Sequence, residues 1–368
     1  MVNVNLFNNI YKNKKVLVTG HTGFKGTWLT LWLLLMGARV CGFSNNQNTK
    51  PSLFNILKIK KKIKECRGDI AIYSNISKVV KKFQPEIIFH LAAQSLVKKS
   101  YSKPIETFNT NTMGTLNILK ASEQSKKLKV IIMITSDKVY KNVEIKRGYK
   151  EDDLIMGNDP YSASKSCAEL VINMYLNSYA EKKKISICVT RAGNVIGGGD
   201  WSKNRIVPDL FKQWSNSKKL KVRNPKSTRP WQFVLDPLGA YLYLGYLLLN
   251  KNTNKKINFE CFNVGPKKNV NKKVIELIRL IKKDVKSLNF YVTNEKSNKE
   301  AKLLKLNCSK IFKYTKWKPV YNFNETVRNT SSWYVNYYTR KNNIFDFTIN
   351  QIQNYIKLAK SKKVSWIK

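Results

Sequence analysis

Tyr161 and Lys165 stand four residues apart in the run Tyr-Ser-Ala-Ser-Lys. On a helix this spacing puts both side chains on one face. An ammonium beside a phenol favours the phenolate, so such a pair can take up and return a proton near neutral pH. Far upstream lies Thr19-Gly20-His21-Thr22-Gly23-Phe24-Lys25-Gly26. Gly20 lets the chain turn sharply, Gly23 lets backbone approach a pyrophosphate, and Gly26 lets a helix pack on a strand. The free N–H groups of the helix that starts there suit phosphate oxygens. A third cluster, Thr135-Ser136-Asp137-Lys138, places a hydroxyl, a carboxyl and an ammonium side by side. Together the three point to a nicotinamide site with its own proton-transfer pair, and so to hydride exchange with a sugar-like alcohol.

The elements that must carry these residues are legible as short apolar runs between helical patterns. Lys15–Thr19, Arg39–Phe43, Glu86–Leu91, Val130–Thr135, Ile185–Thr190 and Cys261–Gly265 read as strands, and Trp28–Met36 reads as a helix closed by Gly37. Apolar strands separated by helices predict a parallel sheet covered on both faces, a doubly wound α/β (Rossmann-like) fold with a smaller mixed α/β lobe. The carboxyl ends of such strands form the ligand crevice, which puts Thr135–Lys138 in it. We expect residues 1–193 to form the dinucleotide-binding domain, with a returning segment near 231–265. Residues 194–230 and 266–340 are expected to form a substrate-binding lobe, and 341–368 a basic tail without an assigned role.

Composition narrows the classes. The chain has 368 residues, 42% of them hydrophobic, enough for a large core. No apolar run approaches the roughly 18 residues a bilayer-spanning helix needs, and Met1–Asn9 lacks the pattern of a signal peptide, so a cytoplasmic protein that does not bind membranes is expected. Six scattered cysteines without a Cys-x-x-Cys pair, and only two histidines, argue against a disulfide framework or a metal site. The net charge of +45 invites a nucleic-acid reading. The charge is spread along the whole chain, lysine-rich and without interleaved aromatics, so a nucleic-acid partner is not expected. The densest run, Lys58–Lys64, has Ile59 and Ile63 at i, i+4 and reads as the solvated face of an amphipathic helix. A positive surface would draw in an anionic nucleotide sugar.

The Gly-x-x-Gly-x-x-Gly spacing resembles the extended short-chain dehydrogenase/reductase family. Further stretches match that family in order, from about residue 15 to 338: Gly68-Asp69-Ile70, Leu91-Ala92-Ala93-Gln94, and Asn111 in Asn-Thr-Met-Gly-Thr. The resemblance implies that Gly20, Thr22, Gly23, Phe24, Lys25, Gly26, Ser44, Asp69, Ile70, Leu91, Ala92, Ala93, Tyr161 and Lys165 hold NAD. At the end of the second strand, where an NAD site usually has Asp or Glu, stand Ser44 and Asn45, with Lys50 near, and these residues by themselves leave NAD and NADP open.

Within that family, Asp137-Lys138 after Ser136 resembles the CDP-glucose branch of the nucleotide-sugar 4,6-dehydratases, whose other members carry Asp-Glu there. His21–Gly26, Arg191-Ala192-Gly193-Asn194-Val195-Ile196-Gly197-Gly198-Gly199-Asp200-Trp201 and Thr228-Arg229-Pro230-Trp231-Gln232 match the same branch, while Ala163 and Asn307 depart from it. The resemblance implies oxidation at C4 of CDP-glucose, loss of water across C5–C6, and return of hydride to C6. Tyr161 would take the C4 hydroxyl proton. Asp137 would act as general acid for the C6 hydroxyl, which requires a pKa raised by burial. Lys138 would help remove the C5 proton, directly or through water, which requires a lowered pKa. Gln94, Asn194, Arg205, Arg229 and Trp231 would hold the nucleotide sugar, the arginines suiting a diphosphate. A homodimer or higher homo-oligomer is implied, through helices near Thr107–Ser122 and Tyr161–Ala180. Another nucleotide-sugar 4,6-dehydratase (GDP-mannose or dTDP-glucose) or a 4-epimerase is the alternative enzyme, and a basic RNA- or membrane-surface-binding protein on a retained fold the alternative outside enzymes.

Overall fold

The computed structural model describes residues 4–45, 49–180, 182, 184–266, 271–293 and 303–367. Parts of the expected 266–340 lobe, residues 267–270 and 294–302, therefore lie outside the described residues, as do Met1–Asn3. Seven parallel strands form the central sheet: β1 (Lys15–Thr19), β2 (Arg39–Ser44), β3 (Lys64–Arg67), β4 (Ile87–His90), β5 (Val130–Ile134), β6 (Ser186–Ala192) and β7 (Cys261–Val264). Their spatial order is β7-β6-β5-β4-β1-β2-β3. The order reverses between β1 and β4, which opens the crevice of a doubly wound sheet at the carboxyl ends of those strands.

Alternate side chains of each strand enter opposite cores. In β1, Val16 and Val18 join one core and Leu17 the other, and in β5 Val130, Ile132 and Ile134 face away from Ile131 and Met133. Both faces are apolar because helices cover both. On one side lie α1 (Phe24–Leu35) and α5 (Leu235–Leu249). On the other lie α2 (Tyr73–Phe83), α3 (Gly114–Ser122) and α4 (Pro160–Tyr175). Two further helices, α6 (Phe323–Thr339) and α7 (Ile344–Ser361), complete the first layer.

Three sequence expectations change. The helix after the glycine turn starts at Phe24 rather than Trp28. Lys58–Lys64 does not form an amphipathic α-helix: Lys58 adopts a left-handed backbone (φ 50°), Ile59–Lys62 make one 3-10 turn, and Lys64 already pairs with β2 as an additional strand. Pairing across the sheet overrides the local i, i+4 pattern. The expected basic tail is ordered helix. Ile349, Ile352, Tyr355, Ile356 and Ala359 of α7 are buried, and Trp366 stacks on Tyr355 at 5.9 Å. That spacing is a helical stripe, so the signal stood in the sequence beneath the lysines. No helix among the described residues is long and apolar enough to cross a membrane.

Candidate active site

The glycine turn joins β1 to α1 as expected. Gly20 has φ +73°, and a Cβ there would lie 2.8 Å from the backbone of Ala92 at the end of β4, so only glycine fits. A Cβ on Gly26 would lie 2.1 Å from the Gly20 carbonyl, which keeps the first turn of α1 against the loop. Gly23 caps α1 without any side-chain hydrogen bond, and no acidic residue occupies the first turn. The N–H groups of Phe24 to Gly26 therefore face the crevice free to meet an anion. These residues fit a dinucleotide pyrophosphate.

The rest of the expected cofactor set lines the same edge. Thr22 and Ser44 meet through their hydroxyls at 2.9 Å, the latter at the end of β2. Arg67, which sequence reasoning did not single out, reaches Ser44 Oγ at 3.4 Å and the Asn45 carbonyl at 2.6 Å, and pairs with Glu65. Asp69 accepts from the Ala71 N–H at 2.9 Å, and Ile70 is buried. Leu91, Ala92 and Ala93 follow β4, with Ala92 donating to Thr19 Oγ1 at 3.2 Å. His90, buried between Thr19 and Thr115, is held neutral, its pKa lowered to about 3 chiefly by burial.

Asn111 is buried and ties two parts of the site together. Its amide donates to the Gln94 carbonyl at 3.1 Å and to Ser164 Oγ of α4 at 2.9 Å, while its Oδ1 accepts from the Gln94 N–H at 2.8 Å. The start of α4 is set by Asp159, whose Oδ1 accepts from the Tyr161 and Ser162 N–H groups at 3.0 Å, with Pro160 at the first helical position. Tyr161 and Lys165 then share a face, both buried. Burial pushes the Tyr161 phenol up to about 12, against a hydrogen bond with Ser136 that lowers it. Burial lowers the Lys165 ammonium to about 8, with Glu169 opposing the shift.

Ser136, Asp137 and Lys138 leave β5 at its carboxyl end, in the crevice. Ser136 Oγ bonds to Asp137 Oδ1 at 3.2 Å and accepts from the Lys138 N–H at 3.2 Å. Asp137 is buried, and burial raises its pKa against the charge of Lys138, the Ser136 hydrogen bond and the charges of Arg229 and Lys25. Its Oδ2 has no hydrogen-bond partner among the described residues. That oxygen lies against Gly193, where a Cβ would come within 1.8 Å.

Sequence reasoning missed the clamp beneath this cluster. Arg191 of β6 donates through Nε to both Glu169 oxygens at 2.9 Å and also through Nη2, and Thr135 Oγ1 donates to Glu169 Oε1 at 2.5 Å. Both charges are buried. Arg191 Nη1 further bonds Tyr140 and the Glu151 carbonyl. Glu169 follows Lys165 by four residues, so the spacing Tyr161-Lys165-Glu169 was a readable stripe on α4.

The substrate set divides. Arg205 bonds Asp200 at 2.9 Å, and its charge reaches Tyr161 and Lys25. Arg229 bonds the Thr228 carbonyl at 2.8 Å, and its charge reaches Asp137. Asn194 adopts φ 40° beside Gly193. Gln94 and Trp231 are turned inward: the Gln94 amide is engaged with Leu96 and Thr107, and the Trp231 indole donates to the Lys272 carbonyl at 3.1 Å.

A doubly wound sheet with this glycine turn, this Tyr-Lys pair and a hydroxyl at the end of β5 defines an extended short-chain dehydrogenase/reductase. The comparisons with known proteins narrow the class. The chain belongs to the GDP-mannose 4,6-dehydratase family, whose model matches residues 17–330. It is similar to the CDP-glucose 4,6-dehydratase of Salmonella typhimurium, 40% identical over 333 residues that cover 89% of this chain and 92% of that protein. Among solved structures it is similar to an epimerase from Methanothermobacter thermautotrophicus (TM-score 0.76, 23% identity, covering 90% and 96% of the two chains). A dTDP-glucose 4,6-dehydratase from Bacillus anthracis in complex with NAD is also similar (TM-score 0.71, 22% identity, covering 88% and 96%). The two structures bear on fold alone.

Proposed function

We propose that this chain converts CDP-glucose to CDP-4-dehydro-6-deoxyglucose, with NAD held throughout the cycle. The observation that carries the reading is Asp137: a buried carboxyl with a raised pKa and one unpartnered oxygen, side by side with Ser136 and Lys138 where β5 opens into the crevice. A reductase or epimerase has no use for such an acid, whereas expelling a hydroxyl needs one. The Salmonella typhimurium relative supports CDP-glucose among the possible donors.

Bound NAD would supply the acceptor for hydride from C4 and the donor that returns it to C6. The chain does the rest. Tyr161 takes the C4 hydroxyl proton, with the Ser136 hydroxyl bonded to it and the Lys165 ammonium one helical turn away. The C4 ketone acidifies the C5 proton, which Lys138 helps remove. Asp137, whose pKa burial raises, gives a proton to the departing C6 hydroxyl. Arg205 and Arg229 hold the diphosphate, and the described residues of 194–230 and 271–293 belong to the substrate lobe. Exposed apolar residues on adjoining helices, Ile105 (77%), Met113, Leu170 (58%) and Met174, support a homodimer through this face.

The test is an NMR time course with NAD and CDP-glucose, run beside GDP-mannose, dTDP-glucose and UDP-glucose. A new C6 methyl signal from CDP-glucose alone is expected. A methyl from another donor would keep the dehydratase and change its base. A hexose returned with its C6 hydroxyl intact would establish an epimerase instead.

A further inference from the structure

Asp137–Val139 form one 3-10 turn at the end of β5. So short a turn cannot fix its side chains by its own hydrogen bonds. The fixing comes from outside, and from one helix. Before the turn, Thr135 Oγ1 donates to Glu169 Oε1 at 2.5 Å. Within it, the Val139 carbonyl accepts from Ser166 Oγ at 2.9 Å. After it, the Tyr140 hydroxyl accepts from Arg191 Nη1 at 2.7 Å, and the same guanidinium is forked onto Glu169. Ser166 and Glu169 belong to α4, the helix that carries Tyr161 and Lys165. All of these partners are buried, so water does not compete for the bonds.

The proposed chemistry needs such a register. C4, C5 and C6 are consecutive carbons of one sugar, so the groups acting on C4 and those acting on C5 and C6 must keep a fixed separation. The first set, Tyr161 and Lys165, comes from α4, and the second, Asp137 and Lys138, from the turn. The polar atoms that join the two bodies are spent on the chain itself. The Tyr140 hydroxyl donates onward to Asn263 Oδ1 at 2.7 Å, and Ser166 Oγ accepts from the Gly157 N–H at 3.0 Å.

We propose that Ser166 and the Arg191–Tyr140 pair are positioning residues that hold Asp137 and Lys138 in register with Tyr161 and Lys165, so that loosening either pin slows water loss far more than C4 oxidation. The inference rests on the dehydratase reading above. The start of α4 has anchors of its own, the Asp159 cap and the bond from the Tyr161 N–H to Ser100 Oγ at 3.1 Å, which neither pin touches.

Two variants and a control test it. Tyr140→Phe keeps the ring that lies 4.8 Å from the Arg191 guanidinium and removes only the hydroxyl. Ser166→Ala removes the bond to Val139 with a residue that favours helix, and keeps the test open should Tyr140→Phe fail to fold. Tyr149→Phe is the control: its ring stacks on Tyr140 at 4.9 Å, but its hydroxyl bonds Asn142 and the Val143 N–H rather than Arg191. Each protein is run through a single turnover with NAD and CDP-glucose. Absorbance at 340 nm reports C4 oxidation, the C6 methyl signal reports completion, and circular dichroism with thermal melts reports the fold. The ratio of the methyl rate to the oxidation rate is expected to fall about tenfold in Tyr140→Phe and Ser166→Ala, given that a full ångström of misplacement costs about a hundredfold. It is expected to keep its wild-type value in Tyr149→Phe. A merely structural role would lower both rates together, because fewer molecules would be folded. Equal loss of both rates, an unchanged ratio in either folded variant, or the same fall in Tyr149→Phe overturns the proposal. Wild-type protein that forms no methyl from CDP-glucose, GDP-mannose, dTDP-glucose or UDP-glucose sinks the dehydratase reading and this inference with it. Wild type that forms the methyl while the ratio is indifferent to residues 140 and 166 sinks only the positioning role.

Discussion

Gly193→Ala should disable elimination while leaving the fold intact. Asp137 Oδ2 occupies the space a side chain at 193 would take: the added Cβ would sit 1.8 Å from Oδ2 and 2.3 Å from Cγ. Real Cβ atoms essentially never approach another heavy atom closer than 3.0 Å, so the carboxyl must retreat by about 1.2 Å. It cannot do so at no cost, because Oδ1 is bonded to Ser136 and the group is buried on all sides. Displacing a reacting group by about 1 Å costs on the order of a hundredfold in rate. That factor is about 2.7 kcal/mol of transition-state stabilisation. The assay is formation of the C6 methyl signal by NMR, run beside single-turnover absorbance at 340 nm. Methyl formation should fall about a hundredfold, whereas the absorbance rise from C4 oxidation should survive, since that step is assigned to Tyr161 and Lys165 rather than to Asp137. Wild-type methyl formation in a folded Gly193→Ala protein would refute the placement of Asp137 as the acid. Loss of both signals together would refute the separation of the two steps.

Other perturbations test the supporting chemistry. Glu169→Gln leaves the buried Arg191 guanidinium without its counter-charge and should destabilise the protein by about 3–5 kcal/mol in denaturant unfolding. A change below about 1 kcal/mol would mean the clamp is solvated. Lys138→Met should spare C4 oxidation at 340 nm and abolish the methyl product, and normal turnover would remove Lys138 from the mechanism. Asp236, fully buried and bonded to the Val320 N–H and the Tyr355 hydroxyl, has its pKa lifted by burial from 3.8 to about 7. The native state then keeps a proton that the unfolded chain releases, so stability should fall by a few kcal/mol as pH rises from about 4 to about 7. Asp236→Asn should flatten that slope, and an unchanged slope would assign it to other groups.

Much of this protein is written in local patterns. Six of the seven sheet strands are short apolar runs between turns, and Gly20, Asp159 and Pro160 announce the starts of α1 and α4 through backbone chemistry that neighbouring residues settle among themselves. The order of the Gly20 turn, the Ser136 cluster and the Tyr161-Lys165 pair places them at the crevice once the sheet is known to be doubly wound. Tertiary structure decided what these patterns leave open. Lys64–Arg67 became a strand because β2 offered it hydrogen bonds, not because its own residues demanded one. The C-terminal helix found its place through Tyr355, whose hydroxyl meets Asp236 from 119 residues away. Gln94 and Trp231 look like ligands by residue type, yet their polar atoms are consumed by Thr107 and Lys272. Arg191 looks like part of a loop motif, yet its guanidinium closes on Glu169. Except for Leu96 beside Gln94, the deciding partners come from other elements of the chain. A buried polar atom is satisfied by whichever group the fold brings near, and that choice does not exist until the core has closed.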